Sequence, residues 1–589
     1  MPLQSLPAIH RIKSLSYFLD QHPAIARCLA IGWVVLIGII AFLWKLGAVG
    51  LVDETEPLFA EAARQMTVTG NWLTPYFNGD TRFDKPPLIY WLMAIAYQTF
   101  GVNEFAARLP SALAAIALTA VGFYTLRQFG DAMPVSKAEP SPQTHAPDTT
   151  HQRRLAAYIG TGAIALNLQT IVWGRTGVSD MLLTGCMGTA LFAFFCGYAQ
   201  PHQPRRQARW YLSFYVLSAL AVLAKGPVGI VVPGLIIVAF VLYTGTLGRV
   251  LREMQLVLGS LIFLGITLPW YILIVQVHGR SYIANFFGYH NVERFTSVVN
   301  NHSAPWYFYF LVVLLGFIPW SIHLPMAIAR IRFWQRATWL SRPRSEHLEL
   351  FALIWFVVIF GFFSISVTKL PSYTLPLLPA AAVLVALLWS DAMTRSKPSK
   401  GFRLSTLINA GFMVILAGAT VYSVNWLGDD PVMPTLPTVI ADSGILWIGG
   451  GIWLAVAIAH LVLILRKEGA WLWVANLVGI SAFSLLTLMP ALNYVDELRQ
   501  QPLRQLATTI VQVQQPTEEI IMVGFMKPSV VFYAQRPVTY IYSPNKAIAH
   551  IRQTHQNAAK GETTSALILG AQDLLDERPL DPKRHEILQ

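Results

Sequence analysis

The sequence predicts an α-helical integral membrane protein with about thirteen transmembrane helices and a small C-terminal α/β domain. Three observations predict this. Of 589 residues, 54% are hydrophobic and only 13% charged, against about 25% charged in a soluble protein. Apolar stretches long enough to cross a bilayer as helices recur from Cys28 to Leu492. After Tyr494 these runs stop, and short strand-like and helix-like segments alternate.

The expected spans are 28–50, 108–128, 155–173, 179–199, 210–224, 226–245, 253–277, 306–328, 349–366, 371–391, 403–426, 443–465 and 470–491. The shortest need tilt or flanking residues to cross. The run from Pro86 to Phe100 is ambiguous, and loop charge decides it. Basic residues cluster at Arg153 and Arg154, at Arg205, Arg206 and Arg209, and at Arg249 and Arg252. They cluster again from Arg330 to Arg344, from Arg395 to Arg403, and at Arg466 and Lys467. These fall in every second loop only if 86–100 does not span, and the positive-inside rule then puts them all in the cytoplasm. The run 86–100 is therefore expected as a helix at the outer interface. The N-terminus is expected inside and the C-terminus outside. The net charge of +12 reads as topology charge, and no nucleic-acid partner is expected. Cys28, Cys186 and Cys196 form no CxxC pair, so neither a zinc knuckle nor a disulfide framework is indicated. The basic segment Met1 to Ala26 lacks a convincing cleavage site after the first apolar run, which reads as a retained helix.

Two domains are expected: a transmembrane domain with outer juxtamembrane helices over 1–494, and an extracytoplasmic α/β domain over 495–589. In the tail, Glu518–Val523, Pro537–Tyr542 and Ser565–Leu569 read as strands, and Gln500–Gln514 and Asn545–Gln553 as helices. No Walker loop or GxGxxG fingerprint occurs there.

Ionisable residues at a membrane edge are functional candidates, and most gather in the expected outer loops. The first loop carries Asp53, Glu54, Glu56, Glu61, Arg64, Asp80, Arg82, Asp84 and Lys85. The second carries Arg175 and Asp180, the third Lys225, the fourth His290, Glu293, Arg294 and His302, and the fifth Lys369 with Tyr373. Each alone has a plain structural reading. Asp180 suits a helix N-terminus, Lys225 a snorkelling boundary, and Lys85-Pro86-Pro87 a helix start. Five distant loops that each bring a charge beside Gly or Pro suit a shared interfacial pocket. Lys85, Lys225, Arg175 and Lys369 suit a phosphate. A phosphate at the lipid interface suggests a lipid-phosphate leaving group. Asp53 or Asp180 would supply a base or charge near an acceptor. No DxD motif or sugar-nucleotide fold accompanies them.

These residues lie in segments that resemble a known family. LVDETEPLFAEAARQM from Leu51, NWLTPYFNGDTRFDKPPLIYWL and FGVNEFAARLPSAL resemble the first outer loop of lipid-carrier-dependent glycosyltransferases of the C-type membrane (GT-C) fold. That group includes the aminoarabinose lipid A transferases and, more distantly, the protein O-mannosyltransferases. The likeness continues, in order, at GRTGVSDMLLT, LAKGPVGIVVPG, YHNVERF with NHSAPWYFY, and SVTKLPSYTLPLLPA, and again at KPSVVFYAQRPV in the tail. The resemblance implies Asp53 as catalytic carboxylate, Asp180 as second essential acid, and Lys85 on the carrier phosphate with Lys225, Arg175, Tyr373 and Lys369 around it. Glu54, Glu56 and Arg64 are expected to line the acceptor or donor pocket. It also implies a zinc-like divalent metal held by Asp84 with His302 or His290, although relatives place Glu where this chain has the shorter Asp84. The expected partners are an undecaprenyl-phosphate-linked sugar, a lipid A-like glycolipid or other envelope glycan as acceptor, and membrane lipid. The expected activity is inverting transfer at the outer face of the plasma membrane. Protein O-glycosylation on the same fold and a non-enzymatic lipid-carrier transporter are the alternatives. A transporter would show inverted repeats and charge at the midplane, whereas here the charges sit at the expected span ends.

Overall fold

In hydrocarbon every backbone N–H and C=O must find a partner within its own segment, so long apolar runs become helices. The computed structural model describes residues 18–131, 149–293, 296–297, 303–395, 399–428, 430, 433–466, 468–516, 518–558 and 565–570. Eight described helical stretches are long and apolar enough to cross a membrane: Pro23–Leu43, Glu104–Phe129, Ser179–Tyr198, Leu256–Tyr289, Pro371–Thr394, Lys400–Trp426, Ile445–Leu465 and Gly469–Val513. Two helix pairs, Thr150–Ala165 with Leu168–Gly174 and Phe308–Gly316 with Ser321–Ile331, are bent by 61° and 118° and raise the number to ten if each pair is one span. The other expected spans are also helical but fall outside that set. Val228–Tyr243 and Leu348–Ser364 are shorter, and Pro204–Lys225 opens with Arg205, Arg206 and Arg209. On length and composition the count is thus eight to ten, with thirteen standing as the expectation from loop charge.

The helices that carry the site are α1 (Pro23–Gly38), α2 (Thr55–Thr69), α3 (Leu88–Phe100), α4 (Glu104–Phe129), α5 (Thr149–Ala165), α6 (Leu168–Gly174), α7 (Ser179–Tyr198) and α8 (Pro204–Lys225). At 13 residues, α3 is only about 20 Å long, short of the ~30 Å hydrocarbon core. It packs on α2 and α4 through buried Tyr90, Met93 and Tyr97, as an interfacial helix would. Asn103 caps α4 by accepting from the Ala106 N–H, and Asn167 caps α6 in the same way from Thr170. The Asn167 cap sits at the 61° bend, where one expected span becomes two helices.

The run Gly469–Val513 is helical over 45 residues. The expected span 470–491 and the expected tail helix 500–514 are therefore one continuous element, and the boundary expected at 494/495 lies inside it. No glycine or proline falls between Leu492 and Gln501 to break it. A small hairpin in the first loop pairs β1 (Tyr76–Phe77) with β2 (Asp80–Thr81). Beyond the long helix come β3 (Glu519–Val523), β4 (Thr539–Ile541) and β5 (Ala566–Gly570). These three strands form a parallel sheet in the order β4-β3-β5. The helix Pro528–Ala534 joins β3 to β4 and packs on α2.

One expected basic loop is partly internal. Arg330 is buried and pairs with Glu349 at 2.6 Å and Asp391 at 3.2 Å. Only a charge with such partners is kept in a helix-packed interior.

Candidate active site

A buried ion pair holds the first outer loop. The Glu56 carboxylate accepts from Arg108 Nε and Nη2, both at 2.8 Å. It also accepts from the N–H groups of Gly177 at 2.6 Å and Val52 at 2.9 Å. Arg108 donates further to the carbonyls of Leu46, Val49 and Gly50. The pair therefore ties the segment after α1, the start of α4 and the turn before α7 to one point. Arg64 is likewise buried in a forked pair with Glu61, with both bonds at 2.7 Å. Glu56 and Arg64, expected to line a substrate pocket, are engaged in these bonds and so also hold the scaffold. Glu54 is exposed at the start of α2.

Just before it, half-buried Asp53 accepts a hydrogen bond from the Ser529 N–H at 3.0 Å and another from the Ser529 hydroxyl. Burial raises its pKa above the ordinary 3.8. The Ser529 bonds and the Lys527 charge pull against that rise without cancelling it. Ser529 lies on Pro528–Ala534, so the C-terminal sheet domain reaches directly to the first loop. Tyr533, one turn further on, accepts from the Leu51 N–H and donates to Glu104, both at 2.9 Å. The Gly50 N–H donates to Asp496 at 2.7 Å, and Arg504 clamps the same carboxylate.

The cations gather at adjoining helix ends. Lys225 closes α8 and its ammonium donates to Asp180, the second residue of α7, at 2.7 Å. Gly226, at φ 89°, turns the chain there in a conformation glycine adopts freely. Each charge also suits its helix end, a carboxylate at an N-terminus and a lysine at a C-terminus. The separate structural readings of Asp180 and Lys225 thus merge into one ion pair. Ser372 and Lys85 also act on Asp180, and Lys225 lies 5.8 Å from the centre of the Tyr373 ring. Lys85 donates to the Asp84 carboxylate at 2.5 Å, and Arg82 holds its other oxygen at 3.0 Å. Lys369 donates to the Ser366 carbonyl at 2.7 Å. Arg175 donates to the carbonyls of Trp44 and Lys45. Burial brings its pKa down to about 10, which leaves it charged at neutral pH.

The structure therefore brings Asp180, Lys225, Lys85, Asp84 and Tyr373 together from four separate stretches of chain. Asp53 is held by the tail, through Ser529. Ser529, Ser372, Tyr533 and Asp496 escaped the sequence reading. Ser529 and Tyr533 carried a signal as part of the KPSVVFYAQRPV segment and Ser372 as part of SVTKLPSYTLPLLPA, while Asp496 carried none. Of the expected metal ligands, His302 and the His290 side chain lie outside the described residues, and Asp84 is spent on Lys85 and Arg82. Among the described residues no three His, Cys, Asp or Glu side chains converge as a metal site would need.

Comparison with known proteins agrees with this architecture. Residues 84–135 and 151–273 match the family described as dolichyl-phosphate-mannose-protein mannosyltransferase. Residues 513–589 match the C-terminal domain of cyanobacterial RgtA-type glycosyltransferases. The chain is 28% identical over 390 residues to the undecaprenyl phosphate-alpha-4-amino-4-deoxy-L-arabinose arabinosyl transferase of Shewanella sediminis, covering 66% of this chain and 64% of that one. It is 30% identical over 377 residues to the protein of the same name from Aeromonas salmonicida, covering 64% and 62%. The chain thus spans a little under two thirds of the length of these relatives. Among solved structures, ArnT from Cupriavidus metallidurans in the apo state superposes with a TM-score of 0.70 at 23% identity, over 93% of this chain and 94% of that one. The same protein bound to undecaprenyl phosphate gives 0.68 at 22% identity, over 93% and 90%. The chain is a multi-pass membrane protein of the GT-C fold, similar to the aminoarabinose transferases.

Proposed function

We propose that this chain is an inverting glycosyltransferase. It moves a sugar from a polyprenyl-phosphate carrier, undecaprenyl phosphate, to a lipid A-like glycolipid or other envelope glycan at the outer face of the plasma membrane. The observation that carries the reading is the meeting of Lys225, Asp180 and Lys85 at adjoining helix ends, at the edge where a lipid phosphate would sit. An ammonium has three donors, so Lys225 can hold Asp180 and still reach a phosphate oxygen. The relatives' names and the undecaprenyl phosphate of one similar structure fit that carrier.

In this reading the acceptor hydroxyl oxygen attacks the anomeric carbon and Asp53 takes its proton. The bond from that carbon to the phosphate oxygen breaks with its electron pair. The negative charge growing on that oxygen is met by Lys85 and Lys225, with Arg175, Lys369 and Tyr373 around it. Fixed cations act most strongly on such charge in a site that excludes water. A carboxylate on the phosphate side would oppose the change, so Asp53 works from the opposite face and the configuration inverts. Asp180 holds Lys225 in place. The tail beyond 494 is read as an extracytoplasmic domain that completes the site through Ser529. Asp84 with His302 or His290 remains the proposed site for a zinc-like ion, and no step depends on it.

The test incubates the purified chain with a panel of polyprenyl-phosphate sugars and envelope glycolipids and follows the carrier phosphate released. Release that requires both donor and acceptor supports the proposal. A chain that exchanges carrier across vesicles but releases none from any donor is a transporter.

A further inference from the structure

The helices that bring Lys225, Asp180 and the first loop together have opposite ends, and those ends line an open, unassigned cavity. It has a volume of about 1000 Å³ and is lined by Arg27, Arg153, Arg206, Arg209, Tyr124 and Trp210 among others. No acidic side chain is among the described residues that line it. Arg153 is neutralised by Asp131 beside the cavity. Arg206 and Arg209 are exposed on the first turns of α8. The Tyr124 and Trp210 rings lie tilted against each other on the wall, with centroids 5.3 Å apart and planes 37° from parallel.

The position follows from helix length. Lys225 ends α8, and Arg206 and Arg209 lie near its start, so the helix rise puts Arg206 about 28 Å and Arg209 about 24 Å from Lys225. That approaches the ~30 Å thickness of the hydrocarbon core. Tyr124 stands in the same relation to Glu104 along α4. The cavity is therefore at the headgroup level of the leaflet opposite Asp53. Tyr and Trp at that depth sit where their rings bridge apolar and polar layers. Arginines between helix ends offer forked donors matched to phosphate oxygens.

We infer that this cavity holds the phosphoryl headgroup of an anionic phospholipid from the leaflet opposite the catalytic end. Arg206 and Arg209 bind the phosphate, and the Tyr124–Trp210 wall lies against the glycerol and upper chain. The volume suits one headgroup. A basic pocket between helices on the positively charged side of a membrane protein is the physical form of such a site. Nothing in this inference depends on which sugar is transferred.

The experiment uses the full-length chain in mixed micelles with phosphatidylglycerol or phosphatidylcholine, with bound lipid counted by native mass spectrometry. Wild type retains phosphatidylglycerol over phosphatidylcholine. Each arginine near an anionic headgroup is worth about fivefold in binding, so Arg206→Gln with Arg209→Gln lowers phosphatidylglycerol retention by roughly 25-fold. Phosphatidylcholine retention and the melting temperature in lipid-free detergent stay unchanged. A second arm adds inorganic phosphate in place of lipid and reads thermal stability, and no protection is expected. Equal retention of the two lipids, or an unchanged preference in the double variant, overturns the site. Protection by inorganic phosphate equal to that by phosphatidylglycerol overturns the lipid headgroup as its occupant.

Discussion

With Asp53 as the proposed base, Asp53→Asn should lower the proposed sugar transfer by about 10²–10⁴-fold, the usual contribution of a positioned general base. The side chain keeps its size and loses its charge; the Ser529 N–H can still donate to the amide oxygen, and the Ser529 hydroxyl can turn to accept from the amide nitrogen. Folding and carrier binding are therefore retained. The wild-type pH profile carries a further expectation with a definite sign. Burial raises the Asp53 pKa above 3.8. A base must be ionised to act, so activity rises with pH through that raised pKa and falls away below it. Ser529 donates two bonds that stabilise the ionised form. In Ser529→Ala the amide bond remains and the hydroxyl bond is lost. A hydrogen bond to the ionised carboxylate favours that form, so its loss moves the acid limb to higher pH. At high pH the variant approaches the wild-type rate. An acid limb that stays in place would remove Ser529 from the tuning of Asp53, whatever the overall loss of activity.

The second large effect is on stability. Glu56→Ala leaves Arg108 buried without its carboxylate, along with two orphaned N–H groups from Val52 and Gly177. Breaking a buried pair on one side costs about 3–5 kcal/mol. The variant should unfold at a clearly lower temperature in detergent and lose activity with its fold. Glu56→Gln with Arg108→Met should recover part of the loss, because no uncompensated charge remains inside. Thermal unfolding of the three proteins side by side checks this. A Glu56→Ala protein within about 0.5 kcal/mol of wild type, the range of ordinary surface substitutions, would mean that the loop is held some other way.

Much of the fold was legible because a bilayer imposes one simple demand, apolar length, and the sequence meets it repeatedly. The interfacial placement of Pro86–Phe100 could be argued from loop charge alone, and α3 is too short to span. The bends were not legible. Nothing in the apolar run 155–173 announces that Asn167 stops one helix and starts another. The length of the last helix was underestimated because its composition turns polar at Asp496 while its backbone carries on to Val513.

The site was legible as a set of loops, and its wiring was not. Asp180 and Lys225 each had an adequate explanation alone, and only their 2.7 Å contact joins them. The scaffold bonds of Glu56 and Arg64 could not be read from charge in an outer loop. The partners that internalise Glu56, Arg108 and the Gly177 amide, are far along the chain. Ser529 lies 476 positions from Asp53, and a contact at that separation leaves no local pattern to read.

In the proposed division of roles, cations at one end of the site take the carrier phosphate while Asp53 faces the acceptor. Binding of undecaprenyl phosphate to wild type, Lys85→Ala, Lys225→Ala and Asp53→Asn, measured by titration of the purified proteins, tests it most directly. Each lysine contributes a charge-assisted bond worth about 1.5–3 kcal/mol. Either lysine variant should therefore bind the carrier at least tenfold more weakly, while Asp53→Asn binds it within about twofold of wild type. Equal loss of carrier affinity in Asp53→Asn and the lysine variants, or no loss in any of them, would contradict the account.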